Sequence, residues 1–255
     1  MGRDNDDRLQ SLTLFAAQTD FTEPGELGLF IDDSQLALLE DLMFEQGVLE
    51  SSQMAGTFHL MRSNDLVWSR VINHYLMGDP DEADDISAWS SDTTRMPYRM
   101  HKEYLRTLFL NNDLAEGRFK LNGRPIALQD IRLPVFVVGA ERDHVSPWRS
   151  VFKIHSLTGA EITFALANGG HNRGIVAPPG EKGRYFRIST TAAMDRRPDP
   201  HVWAALAPRH EDSWWLAWFD WLAAHSSGLA PPPSLGSVSA DLAPLVSAPG
   251  EYVRG

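Results

Sequence analysis

Residues 133–144 read LPVFVVGAERDH, and this stretch decides the fold class that we predict. A proline is followed by an uninterrupted run of β-branched, aromatic and small residues, which is typical of a strand that is buried on both faces. Residues 140–144 (AERDH), of which the last four are polar, predict a loop at the carboxyl end of that strand.

A second strand of the same kind is predicted at 161–166 (EITFAL), and it is also followed by a polar turn, which ends at His171. Between the two strands, Pro147 begins a helical stretch that extends to about Leu157. A strand, a helix and a second strand in this order predict parallel pairing in an α/β sheet. The short apolar run at 11–19 (SLTLFAAQT) predicts a third strand of that sheet.

The segment between the first strand and the strand at 133 carries helical patterns and no strand signal. Asp32, with the two residues after it, suits the start of one helix, and Gly47 suits its end. Ser213 is predicted to cap a tryptophan-rich helix at 213–222. We therefore divide the chain into four parts, which are a core strand (1–21), an inserted helical cap (22–118), the rest of the core (119–226) and a tail rich in Pro, Ser and Ala (227–255).

Composition excludes several classes of function. The net charge of −11 argues against a nucleic-acid-binding protein, which usually presents a basic face. The chain has no cysteine, so it forms no disulfide and no thiolate metal site, and the histidines show no close metal-binding spacing. The polar start predicts no signal peptide, and no apolar run approaches the ~20 residues of a transmembrane helix. We predict a cytoplasmic protein.

Two polar residues follow neighbouring predicted strands. Asp143 comes just after the strand at 133, and His171 follows the strand at 161 after two glycines. Because the carboxyl ends of parallel strands meet at one edge of a sheet, both loops are expected to open on the same side. A carboxylate that orients a histidine is the working pair of acyl-transfer enzymes, and the acid precedes the histidine as it does in α/β-hydrolases. The alternative is that Asp143 only forms a turn.

The nucleophile of such an enzyme is missing from this sequence. The strand-to-helix elbow of α/β-hydrolases, G-x-S-x-G or G-x-C-x-G, does not occur in it. In that architecture the elbow precedes the strand at 11–19, so we expect the chain to begin just after it. In the helical block, Trp68 and Trp89 are candidates to line an acyl channel, with packing in a core as the alternative interpretation.

Six short motifs in register resemble the polyhydroxyalkanoate synthase family, from about Ser11 to the end of the chain. They are residues 64–68 (NDLVW) with 73–76 (NHYL), 89–93 (WSSDT) with Pro97, 142–148 (RDHVSPW), 170–179 (GHNRGIVAPP), 213–215 (SWW) and 248–253 (APGEYV). The sequence departs from the family pattern at Ser90, Asn172 and Ala177, which leaves the substrate preference open.

The resemblance implies the C-terminal half of a catalytic α/β-hydrolase domain with an inserted helical cap. Members of the family join (R)-3-hydroxyacyl groups from coenzyme A thioesters into a growing polyester, with a cysteine as nucleophile. The match implies that His171 is the base and that Asp143 assists it or activates the hydroxyl of the chain end. Coenzyme A is then part of the substrate, and no separate cofactor or metal is expected.

Three interpretations remain open from the sequence. The first is a synthase whose cysteine-bearing segment is missing, so that the chain is inactive alone and acts with a complementing N-terminal half or in a homodimer. The second is a non-catalytic regulatory or granule-associated subunit, for which the surface of polyester granules is the expected location. The third, a smaller hydrolase with a serine nucleophile, is disfavoured because the elbow is absent.

Overall fold

The computed structural model describes residues 2–4, 6–50, 71–78, 89, 94–236 and 243. In chain order, the strands and α-helices are β1 (Leu12–Phe15), α1 (Asp33–Gln46), β2 (Val48–Leu49), β3 (Met96–Pro97), α2 (Tyr98–Tyr104), β4 (Lys120–Leu121), β5 (Arg124–Pro125), β6 (Val135–Ala140), α3 (Trp148–Phe152), α4 (Ile154–Leu157), β7 (Ile162–Ala167), α5 (His171–Ile175), β8 (Tyr185–Thr191), α6 (Pro200–Leu206), β9 (Arg209–Glu211) and α7 (Trp214–Ala224). Shorter 3₁₀ turns lie at Gly2–Asp4, Gly25–Phe30 and Leu128–Asp130, and π-helical turns at Val71–Leu76 and Leu105–Leu110.

Within the described ranges, the main sheet has five strands in the order β1-β6-β7-β8-β9. β1, β6 and β7 pair in parallel, as the sequence predicts, and β8 and β9 extend the sheet with antiparallel pairing. The fold is therefore α/β with a mixed sheet, and the sequence patterns indicated only three of its five strands. β8 (YFRISTT) and β9 (RHE) are polar and largely accessible, so they lack the apolar run that announces a buried strand.

Both faces of the sheet are covered along β6 and β7, which explains the continuous apolar runs of these two strands. All six residues of each strand are buried. On one face, alternate residues such as Val137 and Phe164 pack with α3, α4 and Trp203 of α6. On the other face, Phe136 and Val138 pack with Trp214 of α7. Because a strand turns successive side chains to opposite faces, a strand buried on both faces has no polar alternation.

The ends of the helices follow the predicted capping residues. The Asp32 carboxylate accepts hydrogen bonds from the backbone N–H groups of Ser34 and Gln35, and α1 ends at Gly47, whose φ of 75° is left-handed. Ser213 caps α7 by accepting from the Trp215 N–H at 3.0 Å. The stretch predicted as one helix from Pro147 to Leu157 forms two short helices, α3 and α4.

The segment from 22 to 118 is mainly helical where it is described. α1 packs against α2, and Glu40 on α1 forms ion pairs with Lys102 and Arg106. The expectation of no strand in this segment was wrong, because β2 pairs with β3. Each of these strands has only two residues, too few for a periodic pattern. The sequence also shows helical spacing from Ser51 to Tyr75; residues 51–70 lie outside the described part of the chain, and Val71–Leu76 forms a π-helical turn. The role of the segment as an inserted cap stays a prediction. In the part of the chain that is described, no helix is long and apolar enough to cross a membrane.

Among the residues that the structure describes, β1 forms one edge of the main sheet. The N–H groups of Leu12 and Ala16 donate to the Pro134 and Val138 carbonyls of the neighbouring chain segment. Because backbone groups alternate in direction along a strand, the N–H of Thr13 points to the open edge. Phe15, at the end of β1, remains 43% exposed. An accessible edge with apolar residues favours pairing with another strand.

We therefore expect the 255-residue chain to self-associate through β1. Thr13→Pro removes the outward N–H without touching the bonds to β6, and should shift the chain toward monomer in sedimentation velocity. Thr13→Val is the matched control, since it removes the same hydroxyl contact with Trp218 but keeps the N–H. A parent chain that sediments as a monodisperse monomer with one cooperative thermal transition would contradict this prediction.

A second prediction concerns His155, which is 4% exposed in the aromatic core. Its ring stacks on Phe152 with centroids 4.1 Å apart, and its Nδ1 lies 2.9 Å from the Phe152 carbonyl oxygen. Burial lowers the pKa of His155 below 6.5, and the Phe152 carbonyl offsets part of that effect. The unfolded chain then binds more protons in acid, so the free energy of unfolding falls as the pH falls below about 6.5.

Urea denaturation at about pH 7.5 and about pH 5 measures this dependence. His155→Phe should reduce the loss of stability between the two pH values, because it removes the buried group that must take up a proton. The same substitution at the exposed His201 is the control and should leave the loss unchanged. An unaltered pH dependence in His155→Phe would assign the acid sensitivity to other groups.

Candidate active site

The structure brings Asp143 and His171 together at the carboxyl edge of the sheet. Asp143 follows β6 and His171 begins α5 after β7, so each side chain leaves one of two adjacent parallel strands. The His171 Nδ1 lies 2.8 Å from Asp143 Oδ2. The Asp143 side chain is fully buried, whereas the His171 side chain is 37% exposed. The pair therefore joins a sequestered carboxylate to an imidazole that reaches solvent.

The Asp143 carboxylate is held by its own loop. Its Oδ1 accepts hydrogen bonds from the backbone N–H groups of Val145 at 2.9 Å and Ser146 at 2.8 Å. This arrangement is an Asx-type turn, in which a short carboxylate bonds backbone groups just after it in the chain. The turn-forming role and the contact with His171 therefore occur together, because each uses a different oxygen of one carboxylate.

Backbone contacts join the two loops to each other. Arg142 N–H donates to the Gly169 carbonyl at 2.9 Å, and Glu141 N–H donates to the Ala167 carbonyl at 2.9 Å. The parallel pairing of the strands thus continues past their ends. As a result, the backbone positions from which the Asp143 and His171 side chains project are set by the same ladder.

Glycines allow the histidine loop to approach β6 closely. Gly169 has a φ of +114°, which side-chain-bearing residues rarely adopt. A Cβ on Gly174 would lie 2.5 Å from the Cβ of Ala140 at the end of β6. α5 therefore lies against the end of the strand that leads to Asp143, and any larger residue at 174 would push it away.

The contact with the carboxylate assigns the protons of His171. A neutral imidazole that faces a carboxylate through Nδ1 carries its proton there, which leaves Nε2 as the hydrogen-bond acceptor. The carboxylate also stabilises the imidazolium that forms when Nε2 takes up a proton. The pair can therefore act as a general base toward a group in front of Nε2.

The sequence also singles out two tryptophans, Trp68 and Trp89, as candidates to line an acyl channel. Trp89 is 62% exposed in a helical position, and Trp68 lies outside the described residues. Their assignment to an acyl channel stays a prediction. Over the described ranges, no group of three or more His, Asp or Glu side chains is arranged as metal ligands would be.

Sequence reasoning missed a polar contact beside the pair. The Tyr185 hydroxyl, at the start of β8, donates to Glu141 Oε2 at 2.8 Å, and the guanidinium of Arg209 lies 3.7 Å from the centre of the Tyr185 ring. The contact with Glu141 raises the pKa of the Tyr185 hydroxyl. The sequence did not indicate the contact between Tyr185 and Glu141, because β8 itself was not predicted.

Comparison with known proteins shows clear relatives. The chain is 39% identical over 249 residues to a poly(3-hydroxyalkanoate) polymerase of Methylorubrum extorquens, with 97% of this chain and 40% of that protein covered. It is 37% identical to a poly(3-hydroxyalkanoate) polymerase subunit of Rhizobium meliloti and 31% identical to one of Cupriavidus necator, again over at least 96% of this chain and 40–42% of the relative. No protein-family model matches the chain. The chain thus spans about 40% of the length of the curated relatives that it matches.

A third prediction separates the two tasks of the Asp143 carboxylate. Asp143→Ala leaves two N–H groups without their acceptor and should lower the free energy of unfolding by about 2–4 kcal/mol in urea denaturation. Asp143→Asn keeps an acceptor for the turn and should cost much less. It presents an amide donor to Nδ1, however, and should drive His171 to the opposite tautomer, which ¹⁵N NMR of the imidazole reports.

Asp199 offers the matched control for this series. Its carboxylate also accepts two backbone N–H bonds, from His201 and Val202, but it is exposed. Asp199→Ala should cost only about 1 kcal/mol and leave the His171 tautomer unchanged. Equal costs at the two positions would show that burial of Asp143 adds nothing.

Proposed function

The chain belongs to the poly(3-hydroxyalkanoate) polymerase family, and we propose that it supplies the acid–base part of an acyl-transfer site that polymerises (R)-3-hydroxyacyl groups from coenzyme A thioesters. The observation that carries the proposal is the hydrogen bond of 2.8 Å between Asp143 and the half-exposed His171. In this proposal Asp143 orients the ring and His171 moves protons.

The proton transfers follow from the tautomer of His171. Its Nε2 takes the proton of a thiol, and the resulting thiolate attacks the carbonyl carbon of the acyl-CoA thioester. When the carbon–sulfur bond to coenzyme A breaks, the imidazolium returns the proton to the departing thiolate, and free CoA leaves. The same base can then accept a proton from the 3-hydroxyl group of the acceptor, whose oxygen attacks the carbonyl carbon of the enzyme thioester and extends the polyester. The carbon–sulfur bond to the enzyme breaks, and the released thiolate takes the proton back from the imidazolium.

The thiol must come from outside this sequence, because the 255 residues contain no cysteine. The resemblance of the site motifs to the polyhydroxyalkanoate synthases implies a cysteine nucleophile in a lipase-like box. We propose that a polypeptide carrying this box completes the site beside His171. In the complete protein, the helical segment at 22–118 would cap the site, and Trp68 and Trp89 would line the path of the acyl chain.

The open edge of β1 is where such a polypeptide would join. The strand that leads into the nucleophile elbow of an α/β-hydrolase precedes the strand at 11–19 in the architecture expected from the sequence. Pairing of that strand with β1 would place the elbow at the same carboxyl edge as Asp143 and His171. The proposed location of the assembled protein is the cytoplasm, with the surface of polyester granules as the alternative.

The fourth prediction tests this function by release of free CoA from (R)-3-hydroxybutyryl-CoA, followed with a thiol reagent. The purified chain alone should release no more CoA than its His171→Ala variant, since no nucleophile is present. Supplying the part of the Methylorubrum extorquens polymerase that this chain does not match should restore release. A single-chain fusion of the two parts serves as a second arrangement if the separate parts do not associate.

Three variants of the fusion identify the groups at work. His171→Ala should lower the rate by a factor on the order of 10²–10⁴, the usual contribution of a general base, and Asp143→Asn should lower it as well. A fusion without its box cysteine should be inactive. A folded fusion with the cysteine that releases no CoA would overturn the proposal in favour of a non-catalytic partner subunit, and release by the chain alone would reveal an overlooked nucleophile.

A further inference from the structure

α5, the helix that begins at His171, is too short to satisfy its own carbonyl groups. It spans five residues, and the bonds from the Gly174 N–H to the Gly170 carbonyl and from the Val176 N–H to the Asn172 carbonyl lie at its two ends. The last carbonyls of any helix have no partner within the helix and need another donor. In α5 these carbonyls lie within one turn of His171.

Side chains from two other elements bond these carbonyls. Arg184, just before β8, donates from Nη1 to the Arg173 carbonyl at 2.8 Å. From α7, the indole N–H of Trp214 donates to the Gly174 carbonyl at 3.0 Å, and that of Trp215 donates to the Ile175 carbonyl at 2.9 Å. The hydroxyl of Ser213 donates to the Ala177 carbonyl.

The indole donors themselves are firmly placed. Trp214 and Ser213 are buried, and the Trp214 ring contacts Phe136 on β6 and Phe15 on β1. The Ser213 hydroxyl also caps α7 through the Trp215 N–H, so the first turn of α7 and the end of the histidine loop share one oxygen atom. Packing and capping at the start of α7 therefore fix the position of the groups that donate hydrogen bonds to the carbonyls of α5.

α5 is thus held from two sides. On one side, Gly174 allows it to lie against Ala140 at the end of β6, and on the other side the two indoles bond its carbonyls. We propose that Trp214 and Trp215 are positioning residues, which act through the backbone of α5 to hold the His171 ring in line with Asp143. This role rests on the function proposed above, because it matters for catalysis only if His171 is the base.

Packing alone does not explain the two indoles. A phenyl ring would also fill an apolar space. Two adjacent indoles, however, direct their N–H groups to consecutive carbonyls of one short helix. Trp218, one turn later on α7, directs its N–H to the Thr13 hydroxyl at 3.1 Å, away from the histidine loop. The same helix therefore offers a matched control.

The test compares Trp214→Phe, Trp215→Phe and Trp218→Phe in the full 255-residue chain labelled with ¹⁵N-histidine, at about pH 8.5, where imidazoles are largely neutral. The readout is the ratio of the Nδ1-protonated to the Nε2-protonated tautomer of His171, assigned with a His171→Gln variant. Each of the first two substitutions should lower this ratio roughly fivefold, the factor that one lost neutral hydrogen bond allows. Trp218→Phe should leave the ratio unchanged.

If a phenylalanine variant does not fold, 3-benzothienylalanine at the same position replaces the indole N–H by sulfur and keeps the shape of the ring. An unchanged tautomer ratio in folded chains without the N–H at 214 and 215 would overturn the positioning role, as would an equal change in Trp218→Phe. These outcomes are independent of CoA release. A lowered ratio together with an inactive fusion would therefore leave the positioning role standing while rejecting the proposed function.

Discussion

The rest of the structure depends on the parallel pairing of β6 with β7. Their register runs without interruption from Val135 opposite Ile162 to Ala140 opposite Ala167, and both strands are buried on both faces. Because the two strands end at the same level, the loops that follow them meet at one edge. The hydrogen bond between Asp143 and His171 is a consequence of this pairing, although the two residues are 28 positions apart in the chain.

At the edge where the loops meet, many backbone N–H and carbonyl groups are no longer paired by the sheet and need other hydrogen-bond partners. The Asp143 carboxylate accepts hydrogen bonds from two N–H groups of its own loop through one oxygen and contacts His171 through the other. On the histidine side, the last carbonyls of the short helix α5 accept hydrogen bonds from Arg184 and from the indoles of α7. A buried polar group without a partner is costly, so the same bonds that satisfy these groups also restrict the positions of the two side chains.

Prediction from the sequence succeeded where a pattern is local and strong. In each of these cases the physical cause lies within a few residues of the feature. The cases are the apolar runs at 133–139 and 161–166, the Asp32 and Ser213 caps, and the left-handed Gly47. Prediction failed where the reason lies elsewhere in the chain. β8 is a polar strand that forms because β7 offers it an edge, and β9 pairs in turn with β8. β2 and β3 are two-residue strands brought together by helices.

The sequence by itself determined the α/β class, the positions of Asp143 and His171 after successive strands, and the membership in a polymerase family, because these depend on residue types at fixed spacing. Only the tertiary structure decided which oxygen of Asp143 faces the ring, how closely Gly174 approaches Ala140, and that Trp214 and Trp215 donate to the histidine helix. The contacts from α7 join residues 40 positions apart, and the sequence near either residue does not indicate which residue is its partner. Local patterns specify elements, whereas the pairing of donors with acceptors across elements exists only once the sheet and its helices have packed.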